Sequence, residues 1–195
     1  MTSPWLERAE AIASAADELG IEIAIIGAMA LAAHNYVRGT EDLDFATSVD
    51  PRRDLPRLQA ALESLGFSTR LNQPDDDDPL GGLLIAWDRE DEEGDPVEPI
   101  EIVNFLNPHR RIANPGPEAI RNATDLDKDS RLRYVRLPDL VALKLYAGSL
   151  RDKADVVELL RRNPDAELSE IRAACRRFGY EPLLDELLHE ARAPR

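Results

Sequence analysis

IEIAIIGAMALAAHNYVRGTEDLDFA, residues 21–46, is the stretch that decides the fold of this 195-residue chain. An apolar run, residues 21–26, ends at Gly27, and helix-forming residues 28–33 follow it. A polar segment, residues 35–41, then leads into Asp42-Leu43-Asp44-Phe45. The pattern predicts a buried strand, a short helix, a turn and a second strand.

The second predicted strand begins with two acidic residues, Asp42 and Asp44. Side chains at positions i and i+2 of a strand lie on one face, so these two carboxylates point the same way. Neighbouring carboxylates repel each other unless a cation lies between them. Mg²⁺ takes oxygen ligands and often shares them with substrate phosphates, so the pair predicts a magnesium site.

Strand, glycine, helix, turn and Asp-x-Asp strand together resemble the nucleotidyltransferase superfamily, which has the polymerase-beta-like fold. Gly27-Ala28 stands where that family has Gly-Gly or Gly-Ser, and the resemblance implies that the N–H groups here face the nucleotide phosphates. Arg38-Gly39-Thr40 is similar to the branch that contains the type IV abortive-infection toxins. The resemblance therefore implies that Arg38 and Thr40 also belong to the nucleotide site.

A second chemical stretch is VEPIEIVNF, residues 97–105. Strand alternation places Glu101 on one face and Asn104 on the other. In the family, an acidic residue between apolar residues on a later strand is the third metal ligand, and Glu101 fits that pattern. Glu98 and Asn104 remain alternatives, and Glu101 as the polar face of an edge strand is the non-catalytic interpretation.

A third stretch, LPDLVALKLYAGSLRDKADVVELL at residues 137–160, has the periodicity of two helices. It is similar to the helical segment of the same toxin branch, in which a lysine and a charged cluster face the nucleotide. Lys144 and Arg151-Asp152-Lys153 match these by position, which implies a contact between Lys144 and the triphosphate. Without the resemblance, Lys144 would be interpreted as a surface lysine whose stem covers apolar neighbours.

Charge and composition limit the partners of the chain. The net charge is −14: residues 1–130 hold 11 Lys/Arg and 27 Asp/Glu, and residues 131–195 hold 13 and 11. The sequence gives no strong case for the basic face that nucleic-acid binding requires. One cysteine, Cys175, excludes an internal disulfide, and the lack of a long apolar run predicts a cytoplasmic protein without membrane contact.

The sequence as a whole predicts an α/β (α+β) fold with a small mixed β-sheet flanked by helices. We expect a nucleotidyltransferase core at residues 1–136 and a helical part at residues 137–195 that closes the cleft. The expected enzyme holds two Mg²⁺ ions with Asp42, Asp44 and Glu101, and transfers a nucleoside monophosphate from an NTP to a hydroxyl of RNA, protein or a small molecule. A partner protein from a toxin–antitoxin pair is possible on this interpretation, and a non-catalytic binding or regulatory protein of the same fold is the alternative.

Overall fold

The computed structural model describes residues 4–39, 43–110 and 112–193. Helices and strands alternate irregularly in the first two thirds of the chain, and helices alone follow. The elements are α1 (Pro4–Glu18), β1 (Ile23–Ile25), α2 (Gly27–Ala33), β2 (Leu43–Thr47), α3 (Asp54–Ser64), β3 (Ser68–Asn72), β4 (Leu83–Trp87), β5 (Ile100–Asn104), α4 (Gly116–Arg121), β6 (Thr124–Asp125), β7 (Arg133–Tyr134), α5 (Leu137–Ala147), α6 (Leu150–Arg162), α7 (Leu168–Arg177) and α8 (Glu181–Arg192).

The strands form one sheet in the order β3-β4-β5-β2-β1-β7-β6. The pairs β2–β5 and β1–β7 are parallel, and the other four neighbouring pairs are antiparallel. The predicted mixed α/β fold is thereby confirmed. The sheet places β2 and β5, the two strands with the predicted metal ligands, next to each other.

The two faces of β5 differ in burial. Ile100, Ile102 and Asn104 are buried, whereas Glu101 and Val103 are partly exposed. Ile102 joins a continuous hydrophobic core that includes Phe45 of β2. Each such fully buried side chain contributes about 1.5–3 kcal/mol, which fixes the face that β5 turns to the core.

Among the helices of the C-terminal part, α5 packs against α4, α6 and α7, and α8 packs against α6 and α7. The buried residues of α5 surround most of that helix: Leu140, Val141, Ala142, Leu143 and Leu145. Gly148 ends it in the left-handed conformation, with φ +70°, and Ser149 then caps α6. Since these side chains belong to the same core as the sheet, the division at residues 136 and 137 stays a prediction.

Two further observations concern the core and the length of the helices. Cys175 is buried, and burial raises the pKa of its thiol to about 12. This agrees with its interpretation as a small core residue. In the described part of the chain, no helix is long and apolar enough to cross a membrane.

His34 fastens the end of α2 to the segment after β7. Its Nε2 lies 2.8 Å from the carbonyl oxygen of Val135, so the neutral ring donates to it. Burial lowers the pKa of His34, and the hydrogen bond to Val135 offsets only part of this effect. These contacts explain His34 as a structural residue.

We expect the free energy of unfolding to fall as the pH drops below about 6.5, because the unfolded chain then binds a proton that folded His34 resists. The stabilisation is fully present above the unfolded pKa and is lost as the pH falls through the lower, folded pKa. Denaturant titrations at pH 7.5 and 5.5 measure this difference. His34→Gln keeps an amide donor but does not titrate, so it should reduce the pH dependence; an unchanged pH dependence would contradict the assignment.

Candidate active site

Gly27, the first residue of α2, lies against the carboxylate of Asp44. Its backbone has φ +60°, which favours glycine. A Cβ atom at this position would fall 2.8 Å from Cγ of Asp44 and closer still to Oδ2. The N–H of Ile26 also donates to the carbonyl oxygen of Asp44 at 2.8 Å. The turn between β1 and α2 is thus fitted to Asp44, and a larger residue at position 27 would displace that carboxylate.

Asp44 and Glu101 occupy the same register position on neighbouring parallel strands. Their side chains therefore share one face of the sheet, and adjacent strands are about 4.8 Å apart. Both residues are partly exposed. Asp42 and Thr40 lie outside the described residues.

Glu98 and Asn104 are engaged elsewhere. Glu98 lies at an ion-pair distance of 3.0 Å from Arg8 of α1 and 2.6 Å from Arg89. The buried Asn104 side chain accepts from the N–H of Val49 at 3.0 Å and donates to the carbonyl oxygens of Val49 and Gly81 at 3.0 Å. Neither residue lies on the face of β5 that carries Glu101, and the side chains of both are bonded to other residues. These contacts favour neither Glu98 nor Asn104 as the third metal ligand.

A cavity of about 450 Å³ opens beside Asp44 and Gly27. A stripe on α5 forms one wall, with Leu140, Leu143, Lys144 and Ala147 at helical spacing. Most of the other lining residues are apolar: Ile26, Pro79, Leu80, Val103, Phe105, Ile112 and Tyr146. Lys144 thus faces the same space as Asp44, across a largely apolar interior. Ala28 is buried, with 2% exposure, and is not among the lining residues.

The charged groups of the α5 wall form a network. Lys144 Nζ lies 2.8 Å from Asp152 Oδ1 and 2.9 Å from Asp155 Oδ2. Arg38 Nη1 lies 3.2 Å from the same Oδ2. The structure therefore brings together Lys144 and Arg38, the two cations that the sequence assigned to the phosphates.

Of the predicted cluster at residues 151–153, Asp152 is the member that lines the cavity, and Arg151 is exposed. Burial acts to raise the pKa of Asp152, but hydrogen bonds from Lys144 and Ser149 outweigh it and hold the pKa below its usual range. The carboxylate is therefore charged at neutral pH. It balances half of the positive charge that Lys144 and Arg38 carry.

Asp155 is the site residue that the sequence analysis missed. Its side chain is 2% exposed and forms ion pairs with both cations. The signal was available in the spacing: Asp152 and Asp155 are at positions i and i+3 of α6, hence on one face. What the sequence could not supply is the position of α6 relative to Arg38, which is far away in the chain.

The donor set suits a hard cation. Carboxylate oxygens are the ligands that Mg²⁺ prefers, and Gly27 leaves room for Asp44 to present them. Within residues 4–39, 43–110 and 112–193, no three His, Cys, Asp or Glu side chains are grouped to hold a metal ion. Asp42 would be the third member, beside Asp44 and Glu101, and it lies outside these ranges.

We expect Gly27→Ala to weaken Mg²⁺ binding, because the new methyl group occupies the space of the Asp44 carboxylate. Gly20 is the matched control: it has a similar φ of +69°, but nothing lies within 4 Å of its added Cβ. Gly20→Ala should cost about 1–2 kcal/mol of backbone strain. Gly27→Ala should cost about 1–3 kcal/mol more, by overpacking. Denaturant unfolding and Mg²⁺ titration of both variants measure this; equal losses in both would contradict the contact.

Comparisons with known proteins bear on the family and the fold of the chain. A family model described as nucleotidyl transferase AbiEii toxin, type IV TA system, matches residues 11–193. No curated protein matches the chain. Among solved structures, the antibiotic-resistance factor ANT(2'')-Ia in solution is similar at TM-score 0.55 and 16% identity, with 97% of this chain and 99% of that chain covered.

An antigenic nucleotidyltransferase-like protein from Paracoccidioides brasiliensis is similar at TM-score 0.51 and 20% identity. That match covers 97% of this chain and 94% of the other. At these identities the two structures support the fold alone. The family model, however, spans nearly the whole sequence, and so this chain belongs to the AbiEii family of nucleotidyl transferase toxins and is a nucleotidyltransferase.

Proposed function

We propose that this enzyme transfers a nucleoside monophosphate from an Mg²⁺-bound NTP to a hydroxyl group and releases pyrophosphate. The observation that carries the proposal is the shared register of Asp44 and Glu101 beside the Gly27 turn. Family membership supports nucleotidyl transfer in general. The metal, the site residues and the acceptor are the proposed part.

Asp44 and Glu101, together with Asp42, would hold the metal. When bound, two Mg²⁺ ions would neutralise charge on the phosphates and on the attacking and leaving oxygens. The acceptor oxygen forms a bond to the α-phosphorus, and the bond from that phosphorus to the β-bridging oxygen breaks. The proton of the acceptor hydroxyl passes to the carboxylate of Glu101, acting as general base.

Lys144 and Arg38 are the proposed partners of the β- and γ-phosphates, where the negative charge of the nucleotide is densest. Lys144 faces the cavity, and Arg38 shares its counter-ion. Gly27 and Ala28 would contribute backbone N–H groups, and Thr40 its hydroxyl, to the same phosphates. Most of the residues that line the cavity are apolar, and an apolar surrounding strengthens such charged contacts.

The acceptor is a hydroxyl of RNA, protein or a small molecule. The family description places this chain among the toxins of toxin–antitoxin systems, so an antitoxin protein is a proposed partner. An incubation of the enzyme with labelled NTPs, Mg²⁺ and cell lysate, resolved on RNA and protein gels, identifies the class of acceptor.

The carboxylate assignment predicts that Asp44→Asn and Glu101→Gln each abolish nucleotide transfer while the protein still folds. Glu101→Gln should retain NTP binding, because it removes only one of several metal ligands. It should lose transfer, because it also removes the general base. Glu98→Gln is the matched control, since Glu98 precedes the same strand but pairs with Arg8 and Arg89. Transfer is measured with labelled NTP, and folding by circular dichroism.

Loss of transfer in Glu98→Gln with full activity in Glu101→Gln would overturn the assignment. Full transfer by Asp44→Asn would remove the metal site. Absence of Mg²⁺-dependent transfer by the unmodified protein, with every class of acceptor present, would favour the binding or regulatory alternative.

A further inference from the structure

Two carboxylates hold Lys144, and they differ in burial. Asp152 Oδ1 and Asp155 Oδ2 are at nearly equal distances from Nζ, 2.8 and 2.9 Å. The Asp152 side chain retains 16% of its exposure and lines the cavity. The Asp155 side chain retains 2% and is not among the lining residues. A ligand in the cavity can therefore reach Asp152, but not Asp155.

Asp155 also joins two distant parts of the chain. Its Oδ2 lies between Lys144 of α5 and Arg38, which precedes β2. The Arg38 side chain is 21% exposed, and its Nε is buried without a hydrogen-bond partner in the described part of the chain. Asp155 is thus the counter-ion that keeps this largely buried side chain in place. Its removal would leave a buried positive charge with no ion pair in the network.

We propose that Asp155 is a positioning residue that fixes Lys144 and Arg38 for the triphosphate, whereas Asp152 is an exchangeable counter-ion that a phosphate replaces. This inference rests on the proposed function, because it assigns the ligand of the same two cations. Neither carboxylate contacts the reacting atoms in this assignment. Each acts through the cations that it bonds.

The donor count of the lysine supports this division. Lys144 has three N–H donors; one donates to Asp152 Oδ1, and the contact with Asp155 Oδ2 is an ion pair without hydrogen-bond geometry. The four side chains are electrically balanced, so the network has no surplus charge to attract a polyanion. A triphosphate gains full charge-assisted bonds when it takes the position of Asp152 at Lys144, and Asp152, which is 16% exposed, keeps its second hydrogen bond, from Ser149 Oγ. The Asp155 side chain is only 2% exposed, so it has no comparable route to solvent.

The test compares two isosteric variants of the same network, Asp155→Asn and Asp152→Asn. Calorimetry measures the Kd of NTP and of NMP for each, with Ca²⁺ in place of Mg²⁺ to prevent turnover. We expect Asp155→Asn to weaken NTP binding about tenfold or more, as for the loss of one charged hydrogen bond, and to leave NMP binding nearly unchanged. We expect Asp152→Asn to bind NTP as tightly as the unmodified protein or more tightly.

Asp54→Asn is the control, because it removes a buried, ion-paired carboxylate that lies away from the cavity. Asp54 is 5% exposed, pairs with Arg53 and Arg57, and belongs to α3, which contributes nothing to the cavity. Its loss should lower the melting temperature without changing the ratio of NTP to NMP affinity. A purely structural role for Asp155 would give the same result as Asp54, and that outcome would overturn the proposal.

Weaker NTP binding in Asp152→Asn than in Asp155→Asn would also overturn it. If Asp155→Asn does not fold, Asp155→Glu replaces it: the charge stays, but the longer side chain displaces both cations together. An unchanged NTP to NMP ratio in Asp155→Glu would then contradict the positioning role.

If the unmodified protein binds no metal–NTP complex, both this inference and the proposed function fail. If it binds NTP and Asp155→Asn binds it equally well, only this inference fails.

Discussion

The parallel pairing of β2 with β5 is the constraint on which the site depends. The two strands are far apart in the chain, and a parallel pair needs a long crossover. Here α3, β3 and β4 form that crossover and extend the sheet at the same time. A slip of one residue would turn Glu101 into the core and bring an isoleucine to Asp44. The register of β2 and β5 therefore decides whether the side chains of Asp44 and Glu101 lie next to each other on one face of the sheet.

Asn104 holds that register. Its side chain closes the end of β5 onto Val49, just after β2, and onto Gly81, just before β4. It is fully buried, and removal of a buried polar group that is bonded on all sides leaves its partners unsatisfied. The residue considered as a fallback metal ligand thus acts on the site through the strands that it fastens. Ile100 and Ile102 fix the same register through the core.

Much of this arrangement could be predicted from the sequence, since it depends on local spacing. The strand, glycine and helix order and the alternation of β5 follow from periodicity, and the α5 helix follows from its cap residues and apolar pattern. What could not be predicted depends on distant parts of the chain. The two-residue strand β6 is defined by its pairing with β7, which lies further along the chain. The role proposed for Asp155 likewise depends on its ion pair with Arg38, and no local sequence pattern predicts that Arg38 lies near α6.

The charge distribution limits how an acceptor can approach. Residues 1–130 carry a formal charge of −16 and residues 131–195 a charge of +2. At physiological ionic strength, exposed charges are screened beyond about 8 Å, so the surface near the cleft matters more than the total. That surface includes Lys144 and Arg38, but Asp152 and Asp155 already balance both. A polyanionic acceptor therefore gains little attraction from these two cations at a distance, because each already has a carboxylate counter-ion.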